Sequence, residues 1–120
     1  MNIKTHHIAD TKIAEIISDQ LFISSSQDML DMLGNLYYHE FDKIIIHEEN
    51  ITPDFFDLKT GLAGEALQKF SNYRIRLAII GDFTKYTSKS LNDFIFESNK
   101  NRHINFVNSL EEALHRLSKH

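Results

Sequence analysis

The spacing of apolar residues switches along the chain between a period of two, typical of strands, and a period of 3.6, typical of helices. Residues 2–8 and 12–17 read as two short strands, and β-branched isoleucines in the second run favour an extended backbone. Between them, the segment 9–12 predicts a tight turn, because the side chain of Asp10 can bond its own backbone there. The pattern therefore predicts a β-hairpin at the start of the chain.

The remaining pattern alternates buried strands with amphipathic helices. Continuous apolar runs predict three strands that are covered on both faces, at residues 43–47, 74–80 and 103–107. Apolar stripes at helical spacing predict four helices, near residues 26–40 and 58–71, after Ser88 or Ser90, and after Ser109. Ser109 with Glu112 three residues later forms the capping-box pattern that marks a helix start.

The predicted element order, β-β-α-β-α-β-α-β-α, indicates an α/β fold in which a five-stranded mixed sheet carries four helices. Strands that alternate with helices pair in parallel through right-handed crossovers. The chain has 120 residues, a single proline and neither a linker-like nor a repeated segment. The whole span 1–120 is therefore predicted to be one domain with one core.

Composition narrows the classes of function. The chain has no cysteine, so disulfides, thiolate metal sites and cysteine nucleophiles are excluded. A net charge of −4 argues against a basic face that grips phosphates, and we expect no nucleic-acid partner. No apolar run approaches the roughly 18 residues of a membrane span, and the N-terminus lacks the apolar core of a signal peptide. We therefore expect a cytoplasmic protein without a membrane span.

Candidate site residues follow the predicted parallel strands. Ligands of open α/β sheets bind beyond the carboxyl ends of the strands, so the connections after residues 47 and 80 are the places to search. The chemistry-bearing residues of these connections are Asp54, Asp57, Lys59, Thr60, Gly61, Asp82 and Lys85.

Thr60 and Gly61 allow two interpretations. Ser, Thr and Asp are the ordinary residues at helix starts, so Thr60 or Asp57 can simply cap the predicted helix. Alternatively, the Thr60 hydroxyl lies close to unpaired helix amides and either faces a ligand or is phosphorylated. The residues alone leave both interpretations open.

The residues predict neither a catalytic group nor a cofactor. Asp54, Asp57 and Asp82 could form a carboxylate cluster that binds Mg²⁺, but capping and turn roles are commoner and no metal is predicted. The chain lacks the G-x-S-x-G, Walker A and G-x-G-x-x-G motifs. His6 and His7 point to opposite faces of one strand, so they are predicted to be solvated or hydrogen-bonded rather than joint metal ligands.

Paired aromatic residues suggest a contact between two copies of the chain. Phe94 and Phe96 lie about 200° apart around a helix, so one of them is expected to be exposed. Tyr37 and Tyr38 pose the same question at the end of the first predicted helix. An exposed aromatic patch of this kind would suit a homodimer, and single exposed aromatic residues without a partner are the equal alternative.

One resemblance covers nearly the whole chain and rests chiefly on Pro53–Glu65, Gly81–Phe83 and Ser88–Leu91. These segments resemble a small bacterial family that is catalogued as domain of unknown function 4180. The resemblance implies a bacterial origin and a chain of about one domain, and it implies no activity.

A looser resemblance is to STAS domains, the fold of anti-sigma-factor antagonists, whose element order is the predicted one. The segment Asp57–Gly64 is similar to their regulatory loop, Asp-Ser-Ser-Gly-Leu-Gly, in which a partner kinase phosphorylates the Ser before Gly. Thr60 falls at that position, although the loop has one extra residue and Lys59 replaces a small one. The resemblance implies a STAS-like domain that is phosphorylated on Thr60.

Two hypotheses of function follow. The first is a non-enzymatic, STAS-like regulatory module that binds a protein partner through the loop around Thr60. The second is a small-molecule binder or enzyme, for a nucleotide, an anion or a lipid, with an acidic site at the carboxyl ends of the parallel strands.

Overall fold

A mixed five-stranded sheet organises the chain in the computed structural model, which describes residues 2–119. The strands are β1 (Asn2–Ile8), β2 (Thr11–Ile17), β3 (Lys43–His47), β4 (Arg76–Ile80) and β5 (Ile104–Val107). The helices are α1 (Ser26–Tyr38), α2 (Leu62–Asn72), α3 (Lys89–Asn101) and α4 (Leu110–Leu117). Three 3₁₀ turns, Glu48–Asn50, Pro53–Phe56 and Leu58–Thr60, fill the connection from β3 to α2.

The strands lie in the sheet in their order along the chain, from β1 to β5. β1 pairs antiparallel with β2, and the other neighbours pair in parallel. Right-handed crossovers between successive parallel strands bring α1, α2 and α3 to one face of the sheet, here called the helix face. α4 follows the last strand and covers part of the opposite face, here called the second face. The predicted α/β fold, with its five-stranded mixed sheet and four helices, is confirmed.

The two faces carry separate cores. The larger core fills the space between the helix face and α1 to α3, where residues such as Ile46, Phe70 and Leu77 are at most 2% exposed. The smaller core lies under α4 and consists of Ile13, Ile45, Ala78, Val107, Ala113 and Leu117. Alternate residues of each strand serve the two cores, which explains why the parallel strands read as continuous apolar runs.

A partly buried arginine, Arg76, fixes the end of α4. The Arg76 guanidinium donates to the carbonyl oxygens of Arg116, Leu117 and Lys119, at 2.7, 3.3 and 2.5 Å. The carbonyls of Arg116 and Leu117 belong to the last turn of α4, where they have no partner within the helix and attract a positive charge, and Lys119 lies just beyond the helix. The contact holds α4 against the amino ends of the central strands.

The boundaries agree with prediction to within two residues, except at the start of α2. The apolar stripe predicted a helix from residue 58, but α2 begins at Leu62. Gly61 adopts a left-handed backbone with φ of +80°, which separates the 3₁₀ turn at Leu58–Thr60 from the helix. The predicted hairpin turn is also shorter, since only Ala9 and Asp10 lie between the two strands.

Candidate functional site

The predicted site residues of the first connection lie in the loop of residues 52–61, here called the threonine loop. The Thr60 Oγ1 donates to the carbonyl oxygens of Asp54 and Asp57, at 2.7 and 2.9 Å, and accepts from the Leu62 amide at 3.3 Å. The Asp57 carboxylate accepts from the Lys59 amide at 3.2 Å. Thr60 thus holds the loop closed while its residue stays exposed to solvent.

The sequence left open whether Thr60 and Asp57 cap a helix or whether the Thr60 hydroxyl faces a ligand or is phosphorylated. In the structure, Asp57 and Thr60 each make one capping contact. Asp57 caps the 3₁₀ turn that precedes α2. The Thr60 hydroxyl accepts from the first residue of α2 itself, Leu62. Gly61 supplies the positive φ that lets the chain turn from one element into the next.

The predicted residues of the second connection gather around Glu48, which sequence reasoning did not single out. The Glu48 carboxylate accepts from Lys85 Nζ at 2.8 Å, from the Tyr86 hydroxyl at 2.5 Å and from the Asp82 amide at 3.3 Å. Burial and the hydrogen bond to Glu48 raise the pKa of Tyr86 well above its usual range. A Cβ on Gly81 would lie 2.6 Å from Glu48 Oε1, so this contact requires a glycine.

Asp82 closes the turn after β4. Its Oδ1 accepts from the Thr84 hydroxyl at 2.5 Å and from the Thr84 amide at 3.1 Å. These hydrogen bonds lower the pKa of Asp82, which keeps the carboxylate ionised. Asp82 therefore serves the local turn, as Asp residues commonly do.

Aromatic stacking joins the two connections, in addition to the ion pair between Glu48 and Lys85. The Phe56 ring stacks on Tyr86 at 5.0 Å and lies 5.9 Å from Phe83. Within residues 2–119, no group of three or more His, Asp and Glu residues could hold a metal ion. The carboxylates of Asp54, Asp57 and Asp82 thus form no such cluster.

A crevice of about 730 Å³ opens where the chain leaves β4 and β5. After β4 the chain turns towards α3 on the helix face, and after β5 it turns towards α4 on the second face. Such a divergence of neighbouring connections is where open α/β sheets bind ligands. The crevice has an apolar wall that includes Phe106 and Ile95, and polar groups that include Asp82, Asn92 and Glu112.

A second polar cluster, absent from the predictions, lies on the second face. Glu15, only 4% exposed, accepts hydrogen bonds from His6 Nε2 at 2.8 Å and from His47 Nε2 at 3.0 Å. Burial alone would raise the pKa of Glu15, but the hydrogen bonds from His47 and His6 outweigh it and lower that pKa. An acidic residue inside the apolar run 13–17 was the available signal.

The histidines of β1 and β3 do not all lie on the same face of the sheet. His6 lies on the second face, where it meets Glu15, and His7 lies on the opposite side of β1. Their predicted opposite orientation is thus observed. His47, at the carboxyl end of β3, completes a diagonal across three strands. The arrangement ties β1, β2 and β3 together through side chains.

The aromatic residues considered from the sequence include both exposed and buried side chains. Phe96 is 60% exposed while Phe94 packs against the larger core, so one of the two is exposed as expected. Phe55 and Phe56 are core residues. Tyr37 and Tyr38, at the end of α1, are 65% and 83% exposed.

No helix in the part of the chain that the structure describes is long and apolar enough to cross a membrane. No curated protein and no solved structure matches the chain significantly. The family model described as a domain of unknown function, DUF4180, matches residues 8–117, which span β2 to β5 and all four helices. The chain therefore belongs to the DUF4180 family.

Proposed function

We propose that the chain is a non-enzymatic regulatory module that binds a protein partner through the threonine loop, and that phosphorylation of Thr60 controls this binding. The observation that carries the proposal is the double donation of the Thr60 hydroxyl to the carbonyls of Asp54 and Asp57. One hydroxyl proton, carried by an exposed residue, holds the loop closed, so a modification that removes this proton changes the shape of the loop.

A partner kinase would transfer the γ-phosphoryl group of a nucleoside triphosphate to Thr60. A bond forms between Oγ1 and the γ-phosphorus, the bond from that phosphorus to the β-phosphate oxygen breaks, and the nucleoside diphosphate and the hydroxyl proton leave. The oxygen could then no longer donate to the two carbonyls, which lie 2.7 and 2.9 Å away. The phosphate adds about −1.5 to −2 charges beside those carbonyl oxygens, in a loop that already carries the acidic residues Asp54 and Asp57. Repulsion would open the segment between Asp54 and Thr60.

The surroundings favour a reversible opening rather than unfolding. Phe55 and Phe56 anchor the loop in the larger core, at 2% and 6% exposure. Gly61 separates the loop from α2, so a rearrangement of Leu58–Thr60 need not propagate into the helix. The similarity of Asp57–Gly64 to the phosphorylated loop of STAS domains supports the same proposal.

The test compares partner capture by the wild type with capture by Thr60→Glu and Thr60→Val. Glu adds a negative charge, and Val removes the hydroxyl without adding charge, so both lose the donor and only one adds repulsion. Thr87→Glu, at an exposed residue outside the loop, is the matched charge control. We expect a defined partner that Thr60→Glu loses and Thr87→Glu retains. Equal capture by all four proteins would contradict the proposal.

A second candidate function is small-molecule binding in the crevice between the exits of β4 and β5. Its volume of about 730 Å³ suits a small ligand. The carboxylates of Asp82 and Glu112 favour a basic nitrogen over a phosphate group at its rim. A thermal-shift panel of amines, nucleotides, divalent cations and acyl lipids tests this candidate. Shifts for amines that disappear in Glu112→Gln would support it, and an unresponsive panel would contradict it.

A further inference from the structure

β1 is an edge strand whose outer side presents unused backbone groups. It pairs with β2 along all seven residues, without a bulge or a proline. Ile8 and Thr11 flank a two-residue turn and so form a hydrogen-bonded pair, after which hydrogen-bonded and non-hydrogen-bonded pairs alternate. The N–H and C=O groups of Ile3, Thr5 and His7 therefore point away from β2. A regular edge of this kind is a template for another strand.

The edge is complementary to itself. When two copies of β1 pair antiparallel about a two-fold axis at Thr5, Ile3 of one copy lies opposite His7 of the second copy. On the other face of the strand, Lys4 then lies opposite His6 of the second copy. Thr5 faces Thr5 of the second copy at the axis, and no two lysines face each other.

A cleft beside β1 lies where this pairing would place the side chain of His7 of the second copy. The cleft, of about 250 Å³, lies between α1 and β1 and has Ile3, Ile16 and Met32 in its lining. Asp28 and Asp31 lie at its rim. Ile3 remains 42% exposed because α1 does not extend over the edge strand.

Asp31 is bonded to Gln27 through Oδ1 at 2.9 Å, and Asp28 accepts from Ser24 through Oδ2. Each aspartate thus retains acceptor capacity for a further donor. His7 of a second copy, placed against Ile3 on the helix face, would bring an imidazole N–H to this acidic rim. The pairing therefore satisfies backbone groups, covers an exposed isoleucine and matches charge.

We propose that the chain forms a two-fold dimer in which the two β1 strands pair antiparallel about Thr5, joining two five-stranded sheets into one. The occupant of the edge is a second copy because the register, the cleft and the acidic rim all suit β1 itself. The proposal does not depend on Thr60, because the threonine loop follows β3 inside the sheet and β1 lies at its edge.

The experiment measures the molar mass of the chain by light scattering over a wide range of concentrations. We expect the wild type to approach twice 14.0 kDa as concentration rises. Thr5→Pro removes an outward N–H without touching the bonds to β2 and should stay a monomer, whereas Thr5→Val keeps that N–H and should dimerise like the wild type. Circular dichroism checks that each variant is folded.

A second pair of variants protects the test if Thr5→Pro fails to fold. His7→Glu would place a carboxylate of the second copy against Asp28 and Asp31 and should weaken the dimer at least tenfold. His39→Glu makes the same charge change at an exposed position on another surface and should have no effect. A wild type that stays monomeric at every concentration, or a dimer that survives both Thr5→Pro and His7→Glu, would overturn the proposal.

Discussion

The two faces of the sheet differ in how they are covered. The helix face is covered by α1, α2 and α3, and its core is apolar. Within residues 2–119, one helix covers the second face, namely α4, which packs over Ile45, Ala78 and Val107. Near β1 and β2 the second face carries Glu15 with two histidines instead of a larger apolar core. The difference follows from topology, because every right-handed crossover between successive strands places its helix on the same face.

The comparison shows where the fold can accept polar chemistry. On the helix face a charged side chain would meet packed apolar groups and no water. On the second face the imidazoles of His6 and His47, which are 13% and 30% exposed, link the Glu15 carboxylate to solvent. A nearly buried carboxylate is stable there because both of its oxygens are hydrogen-bonded.

Adjacent isoleucines of β2 provide the strongest test of this difference. Ile16 lies on the helix face and is 1% exposed, while Ile17 lies on the second face and is 43% exposed. Ile16→Ala should lower the free energy of unfolding by about 2–5 kcal/mol, and Ile17→Ala by less than about 1 kcal/mol. Urea denaturation of both variants measures the two values. Equal losses would mean that the two faces are equally covered.

Glu15→Gln tests the polar cluster, and its expected effect on the free energy of unfolding is smaller than that of Ile16→Ala. Replacing the carboxylate weakens two hydrogen bonds to imidazole and should cost about 1–2 kcal/mol at pH 7. Because folding lowers the pKa of Glu15, its contribution is present above the unfolded pKa and is lost as pH falls through the folded pKa. The stability gap between wild type and Glu15→Gln should therefore narrow on acidification from neutral pH to below about 4. A gap that is independent of pH would contradict this role of Glu15.

The smallest expected effect compares two glycines at the start of α2. Gly61 has a φ of +80°, whereas Gly64 lies inside the helix with free space around its Cα. Gly61→Ala should destabilise the chain by about 1 kcal/mol, and Gly64→Ala should stabilise it by about 0.5–1 kcal/mol. Thermal unfolding distinguishes the opposite signs. Two shifts of the same sign would show that the break before α2 is not fixed by Gly61.

Local patterns were sufficient to predict most of the fold, because its parallel strands are short apolar runs and its helices begin at recognisable caps. Ser88 and Ser109 accept from the Leu91 and Glu112 amides, as helix caps do. The start of α2 was mispredicted because an apolar stripe continues through Leu58 across the break that Gly61 makes. The spacing of apolar side chains carries no information about the backbone dihedral of a single residue such as Gly61.

The candidate site was less predictable because its contacts join residues that are distant along the chain. Asp82 and Lys85 were identified from their position after a strand, but their shared partner Glu48 lies on another connection. Glu15 on β2 is hydrogen-bonded to His47 on the neighbouring strand β3, which lies 32 residues later in the sequence. Asn50, fully buried, donates to the carbonyls of Ser18 and Gln20, a role that only the folded chain defines.

Phosphorylation of Thr60 is the central claim about function, and its most direct test is peptide mapping by mass spectrometry. The chain would be purified from the cells that make it, under several growth conditions, with Thr60→Val as the control. We expect a phosphoryl group on the wild-type peptide that contains Thr60 and none on the same peptide of Thr60→Val. A wild-type peptide that is unmodified under every condition would contradict the claim.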